Sequence, residues 1–116
     1  TAHKQWYFGK SLDGFTPIGP CIVTADAFAD YPPRLGIRSF VNGEKRQNSN
    51  TALQIFDIDH VVAELSQGMT LKAGTIIATG TPAGVGMGMD PPQFLKPGDV
   101  VRCEIDGIGT LTNPVK

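Results

Sequence analysis

The chain has 116 residues, of which 41% are hydrophobic and 18% are charged, and its formal net charge is −1. This length and composition are typical of one globular domain spanning residues 1–116, and the near-neutral charge gives no electrostatic reason to bind nucleic acid. The 14 Gly and 9 Pro are spread between apolar segments, which predicts many turns and short strands.

The cysteines, the apolar runs and the N-terminal residues indicate the cellular compartment in which the protein is expected. Cys21 and Cys103 form no CxxC pair, so we expect two free thiols and no zinc site. No apolar run approaches the roughly 18 residues of a membrane span, and we expect a cytoplasmic protein with no membrane partner. The opening TAHKQW resembles neither a signal peptide nor a natural start, which indicates the trailing part of a longer chain.

The first predicted elements are a strand and a hairpin. The stretch CIVT at 21–24 is short and β-branched, which predicts a strand. Further along, Asn42-Gly43 follows the alternating residues Ile37, Ser39 and Val41 and precedes a polar arm. Because Asn-Gly tolerates the positive φ of a two-residue turn, we expect a β-hairpin here.

The one strong helix is predicted over residues 58–68. Its apolar residues recur at helical spacing, Asp57 or Asp59 is available as N-cap, and Gly68 is suited to end it.

Strands are predicted again after this helix. GTIIATG at 74–80 forms one, and residues 99–113 alternate in polarity around an Asp106-Gly107 turn, which predicts a second hairpin. The stretches LKAGTII and LKPGDVV, at 71–77 and 95–101, repeat a turn that leads into a strand. We therefore expect a mainly β chain with one main helix, an α+β architecture with a mostly antiparallel sheet.

Two glycine-bearing motifs superficially suggest nucleotide binding. The GKS at 9–11 lacks the Gly that a P-loop needs five residues earlier, where Lys4 stands. In GVGMGM the third Gly of a dinucleotide fingerprint would fall on Met89, and no amphipathic helix follows. Both nucleotide sites are excluded.

Lys10 and the segment around Thr81 are the candidate site residues. Lys10 follows the aromatic run at 6–8, so it is either a cation beside a developing oxyanion or a surface lysine that snorkels from a packed strand. Thr79, Gly80 and Thr81 end a predicted strand, where a hydroxyl and backbone N–H groups often meet a ligand, although a bare turn has the same sequence.

The other titratable residues indicate no complete metal site. His3 lies near the chain start and His60 in the first helical turn, and we expect both to be structural or solvent-facing. The carboxylates are scattered except for Asp57 and Asp59, which helix capping explains.

Four stretches, GKSLDGFTPIGPCIVTAD, VNGEKRQNSNT, LSQGMTLKAGTIIATGTPAGVGMG and LKPGDVVRCEIDGIGTLTNPV, closely resemble the C-terminal portion of the fumarylacetoacetate hydrolase family. The resemblance is nearest to bacterial 2-hydroxyhepta-2,4-diene-1,7-dioate isomerase-like members. It implies a mixed β-roll and β-sandwich fold, incomplete in this chain, with residues 1–116 as the C-terminal part of one catalytic domain.

The resemblance also implies a divalent ion, Mg²⁺ or Mn²⁺, that chelates a 2-keto or β-dicarbonyl acid and stabilises its enolate during isomerisation, decarboxylation or C–C hydrolysis. By the family pattern Lys10 is catalytic and lies beside the substrate, and Gly80 and Thr81 contact the substrate. The metal carboxylates of the family precede the GKS segment, so we expect no metal ligand in this chain.

The resemblance leaves two interpretations of the chain itself: a fragment of a longer enzyme, or one subunit of a split enzyme that a second chain completes. It implies a homodimer for the complete enzyme and a small keto acid as the partner. The alternative from another class is a non-catalytic β-rich binding module, or a fragment inactive alone.

Overall fold

The computed structural model describes residues 6–116. Two helices, α1 (Trp6–Lys10) and α2 (Ile58–Ser66), accompany four strands, which are β1 (Gly36–Val41), β2 (Glu44–Asn50), β3 (Val100–Ile105) and β4 (Gly109–Pro114). The strands form one antiparallel sheet in the order β2-β1-β3-β4. The predicted α+β class is confirmed. Within residues 6–116 neither helix is long and apolar enough to cross a bilayer.

The predicted hairpin at Asn42-Gly43 is confirmed. Val41 pairs with Glu44, and Asn42 and Gly43 have φ values of 52° and 84°. Both central residues of a two-residue turn need positive φ, which Asn and Gly adopt most readily. A register shift then occurs between Ser39 and Phe40, so one residue of β2 is extra and forms a β-bulge.

The second hairpin is confirmed as well. Ile105 pairs with Gly109 across a three-residue loop that contains the predicted Asp106-Gly107. The register of β1 against β3 places Val41 opposite Val101, and Ile37 opposite Ile105. The predicted alternation is therefore observed, with apolar and charged side chains on opposite faces of β3.

Helix α2 begins where its sequence predicted. The side chain of Asp57 accepts a hydrogen bond of 2.7 Å from the backbone N–H of His60, which caps the helix. The helix ends at Ser66, two residues before the predicted end at 68, because the chain tightens there into shorter turns.

Two predicted strands are wrong. Residues 21–24 and 74–80 join no sheet in the described part of the chain. Their apolar residues Ile22 and Ile76 are 86% and 68% exposed. A strand needs a neighbour to pair its backbone N–H and C=O groups, and the described residues supply none. Helix α1 and the single 3₁₀ turns at Ala25–Ala27, Thr51–Leu53 and Gly86–Gly88 were not predicted.

Phe40 forms the small hydrophobic core of this sheet. It is the one buried hydrophobic residue of the described chain, with 9% of its surface exposed. The guanidinium of Arg102, opposite it in register, lies 4.2 Å from the ring centroid, a cation–π contact. Glu104 bonds Arg102 at 3.2 Å and Arg38 at 3.4 Å. This face is therefore organised by one aromatic ring and paired charges.

The first hairpin turn is tied to the start of β3 by Asn42. Its side chain accepts from the N–H of Val100 at 2.9 Å and donates to Asp99 at 2.8 Å. The hydrogen bond from Asn42, followed by one from the N–H of Lys96, lowers the pKa of Asp99 below its ordinary value. A lowered carboxyl pKa stabilises the fold at pH values where the unfolded carboxyl is also ionised.

We expect Asp99→Asn to lower the melting temperature at pH 7 but much less at pH 3. The contribution of Asp99 is complete above its unfolded pKa of about 4 and disappears as the pH falls through the lowered folded value. Thermal unfolding of both proteins at the two pH values measures the gap. A gap of equal size at pH 3 would contradict the assignment.

Candidate functional site

A cavity of about 480 Å³ lies between the end of β2, the beginning of α2 and the segment 79–82. Thr79, Gly80, Thr81 and Pro82 form one wall. The opposite walls are mostly apolar and include Ile37, Phe56 and Val61, with polar groups at Ser49, Asn50 and Thr51. An apolar cavity with a few convergent polar groups is the usual form of a small-molecule site.

Gln47 holds the polar wall of this cavity in place. Its Nε2 donates to the hydroxyl of Thr81 at 2.8 Å and to the carbonyl of Pro82 at 2.9 Å. Its Oε1 accepts from the hydroxyl of Ser39 at 2.8 Å. Ser39 and Gln47 are paired in the ladder, so the hairpin of β1 and β2 positions the end of the 79–82 segment.

The β-bulge makes this arrangement possible. Arg46 is the extra residue, and it stands beside the shift between Ser39 and Phe40. One Nη of Arg46 donates to Gln93 at 2.6 Å and the other pairs with Glu44 at 3.2 Å. Arg46 thus anchors the chain that follows the 79–82 segment, while Gln47 anchors the segment itself.

Two glycines after Thr81 allow close packing of the loop that follows it. A Cβ built on Gly84, at a φ of 103°, would clash with the carbonyl of Arg46 and lie 3.0 Å from Cγ of Gln47. A Cβ on Gly86 would clash with the carbonyl of Gln93. Gly84 therefore seats the loop against the strand that carries Gln47, and Gly86 lets the loop pack on Gln93, so both have a role beyond simple turn formation.

The three predicted site residues do not all meet. Gly80 and Thr81 lie together in the cavity wall, whereas Lys10 is not among the residues that line it. Lys10 is the exposed last residue of α1. Its Nζ lies 5.9 Å from the ring centroid of Trp6, which is itself 61% exposed. The apolar wall expected around Lys10 is therefore limited here to one ring, and the packed strand considered for it is a helix.

The described residues do not form a metal site by themselves. Residues 6–116 contain no group of three or more His, Cys, Asp or Glu side chains that could hold an ion. His60 stacks on Phe56 at 4.7 Å, and Asp59 accepts from the hydroxyl of Tyr31 at 3.1 Å. His3 lies outside the described residues. Mg²⁺ or Mn²⁺ therefore does not fit the side chains of residues 6–116 alone.

Ser39, Gln47 and Arg46 are the residues that sequence reasoning missed. A regular hairpin with a two-residue turn would place Arg46 opposite Ser39, and the observed bulge places Gln47 there instead. The available signal is the polar composition of the outgoing arm, but this composition does not indicate the bulge that directs Gln47, in place of Arg46, to the cavity face.

We expect Gly84→Ala to destabilise the protein by at least about 1 kcal/mol, because Ala has both a strained φ and a clash with β2. The matched control is Gly88→Ala, whose Cβ would meet only Cγ2 of Val85 at 3.6 Å and should change stability by no more than about 0.5 kcal/mol. Chemical denaturation measures both. Equal effects of the two variants would contradict the close packing of Gly84 on Arg46.

The sequence model described as fumarylacetoacetate (FAA) hydrolase C-terminal matches residues 1–116. A curated relative, the mitochondrial oxaloacetate tautomerase fahd2 of Xenopus laevis, is 52% identical over 97% of this chain. The alignment covers only 35% of that relative, so the chain spans about a third of its length.

Solved structures share the fold. A fumarylacetoacetate hydrolase from Exiguobacterium antarcticum superposes with a TM-score of 0.92 at 54% identity, covering 99% of this chain and 41% of that one. A 2-hydroxyhepta-2,4-diene-1,7-dioate isomerase from Mycobacterium marinum superposes with a TM-score of 0.82 at 45% identity, covering 98% of this chain and 41% of that one.

A third structure carries ligands. A maleylpyruvate hydrolase from Sphingobium, solved with manganese(II) and pyruvate, superposes with a TM-score of 0.81 at 44% identity and covers 93% of this chain and 38% of its own. Tautomerase, isomerase and hydrolase names thus occur among proteins of similar sequence and fold. Matched along its whole length, this chain belongs to the fumarylacetoacetate hydrolase family as a C-terminal portion.

Proposed function

We propose that this chain forms one wall of the active site of a divalent-metal-dependent enzyme that acts on 2-keto or β-dicarbonyl acids. The reaction class is isomerisation, tautomerisation, decarboxylation or C–C hydrolysis through an enolate. The observation that carries the proposal is the hydroxyl of Thr81, fixed at the cavity wall by a hydrogen bond from Gln47. The names of the relatives, which include oxaloacetate and maleylpyruvate enzymes, support the substrate class.

Thr81 and Gly80 orient the substrate in this proposal. Thr81 accepts a hydrogen bond from Gln47, so its own hydrogen is available for a keto or carboxylate oxygen. A Cβ built on Gly80 meets no atom within 4 Å, which indicates open space where a ligand can approach the backbone. A hydrogen-bond donor such as the Thr81 hydroxyl stabilises negative charge that develops on a substrate oxygen.

Lys10 supplies positive charge in this proposal. Among residues 6–116, the cavity lining contains no Lys, Arg or His side chain, so this part of the wall offers an enolate no cationic partner. Lys10 is exposed at the end of α1, and the family motif GKS is what assigns it to the substrate. Its role requires that the ammonium reach the oxyanion when substrate is bound.

The ion of the family is assigned to residues other than 6–116. The described residues lack a ligand set, whereas a related hydrolase was solved with manganese(II). The catalytic contribution of this chain is therefore restricted, in our proposal, to hydrogen bonding and charge from its own side chains.

We expect Thr81→Val, in the complete protein that carries this chain, to lower kcat by about 10²-fold, the usual loss for one oxyanion donor. Lys10→Met should lower kcat to a similar or greater extent with an unchanged melting temperature. Assays with oxaloacetate, acylpyruvates and 2-oxo-diene diacids measure the effect and identify the preferred substrate.

The matched controls are Thr70→Val and Lys72→Met, which change the same side-chain types at exposed positions and should leave kcat unaltered. Parent-like turnover of Thr81→Val would overturn the substrate role of the cavity wall and favour a non-catalytic binding module. Parent-like turnover of Lys10→Met would remove Lys10 from the mechanism.

We also expect Mg²⁺ and Mn²⁺ to show no stoichiometric binding to a polypeptide of residues 1–116. Isothermal titration calorimetry measures this directly, with the complete protein as the positive control. A stoichiometric site in the shorter polypeptide would contradict the assignment of the ligands to other residues.

A further inference from the structure

We propose that Gln47 is a positioning residue that orients the Thr81 hydroxyl as a hydrogen-bond donor, so that the cavity presents a donor to a ligand oxygen at this point. The inference rests on the proposed function, because it assigns a partner to the substrate-facing hydroxyl. It adds a residue and a direction of hydrogen bonding that the motif around Thr81 does not contain.

The three hydrogen bonds of Gln47 determine which way its amide points. The carbonyl of Pro82 can only accept, so the atom 2.9 Å from it must be the donor Nε2. The other amide atom is then Oε1, which accepts from Ser39 at 2.8 Å. Reversing the amide would place Oε1 against the Pro82 oxygen, so the surroundings permit one orientation.

This orientation decides the role of the Thr81 hydroxyl. Nε2 has two hydrogens, and its two bonds, to Pro82 and Thr81, use both of them. The oxygen of Thr81 therefore accepts, and its single hydrogen is directed elsewhere. Because Thr81 lines the cavity, a ligand atom that meets this hydrogen must be an acceptor, such as a keto or carboxylate oxygen.

Gln47 is itself held firmly enough to act in this way. It is half-buried, lies in the ladder opposite Ser39, and its Cγ lies close beneath Gly84, 3.0 Å from where a Cβ would stand. The polar head of Gln47 thus holds residues 81 and 82, while its aliphatic stem supports the loop two residues later. A side chain restrained at both ends transmits the geometry of the sheet to Thr81.

The test compares Gln47→Glu with Asn48→Asp in the complete protein. The Glu side chain keeps the length of Gln and can still accept from Ser39, but its carboxylate cannot donate to Thr81 or Pro82. Asn48 is exposed and neighbours Gln47 on β2, where alternation directs it to the other face. It therefore controls for the added charge.

We expect Gln47→Glu to lower kcat by at least about tenfold with a smaller change in KM, and Asn48→Asp to resemble the parent. In a double-mutant cycle, Gln47→Glu should cause little further loss in the Thr81→Val background, because Gln47 acts through that hydroxyl. Ser39→Ala, which leaves both Nε2 donations in place, should cause a smaller loss than Gln47→Glu. If Gln47→Glu unfolds, the loss caused by Ser39→Ala should disappear in the Thr81→Val background, and an undiminished loss there would overturn the inference.

Independent effects of Gln47→Glu and Thr81→Val would overturn the inference and leave the proposed function standing. Turnover of Gln47→Glu equal to that of Asn48→Asp would do the same, as would a larger loss for Ser39→Ala than for a folded Gln47→Glu. Parent-like turnover of Thr81→Val would overturn the proposed function, and the inference with it. These outcomes separate the failure of one from the failure of the other.

Discussion

The antiparallel pairing of β1 with β3 is the interaction on which the rest of this structure depends. It joins residues as far apart as Ile37 and Ile105, which are 68 positions apart in the chain. Each hairpin is local and adds an edge strand to this central pair. Ser39, on β1, then places Gln47, and Gln47 places the end of the 79–82 segment. A side chain held within the sheet thus sets the position of a polar wall that contributes no strand of its own.

Local chemistry made the turns and the helix predictable. The turn at Asn42-Gly43 is decided by the φ preferences of its two residues, and the helix cap at Asp57 by one side-chain hydrogen bond. Both features could therefore be predicted without knowledge of the fold. The related stretches at 71–77 and 95–101 show where this stops. Gly74 and Gly98 both have positive φ in similar turns, but only the second turn leads into a strand, because only that strand has neighbours.

The candidate site was predictable to the same extent. Gly80 and Thr81 were predicted because glycine and hydroxyl residues at the end of an apolar run often meet ligands; they line the cavity, and their contact with a substrate stays a prediction. Gln47 was not found, because its place opposite Ser39 depends on a bulge that no residue pattern in the hairpin indicates. Lys10 was assigned by a motif, and its exposed position on α1 shows that a motif does not by itself place a side chain in the cavity.

The bulge at Arg46 has a consequence for how this hairpin can vary. In a regular ladder Arg46 would lie opposite Ser39. Its positively charged guanidinium would then take the place of the neutral Gln47 amide that bonds Thr81. Surface hairpins usually tolerate changes of length. Here, one residue added or removed between the turn and Gln47 would exchange an amide for a different group beside the cavity. The number of residues between the exposed turn and Gln47 therefore decides which side chain reaches the cavity wall, although the turn itself does not line the cavity.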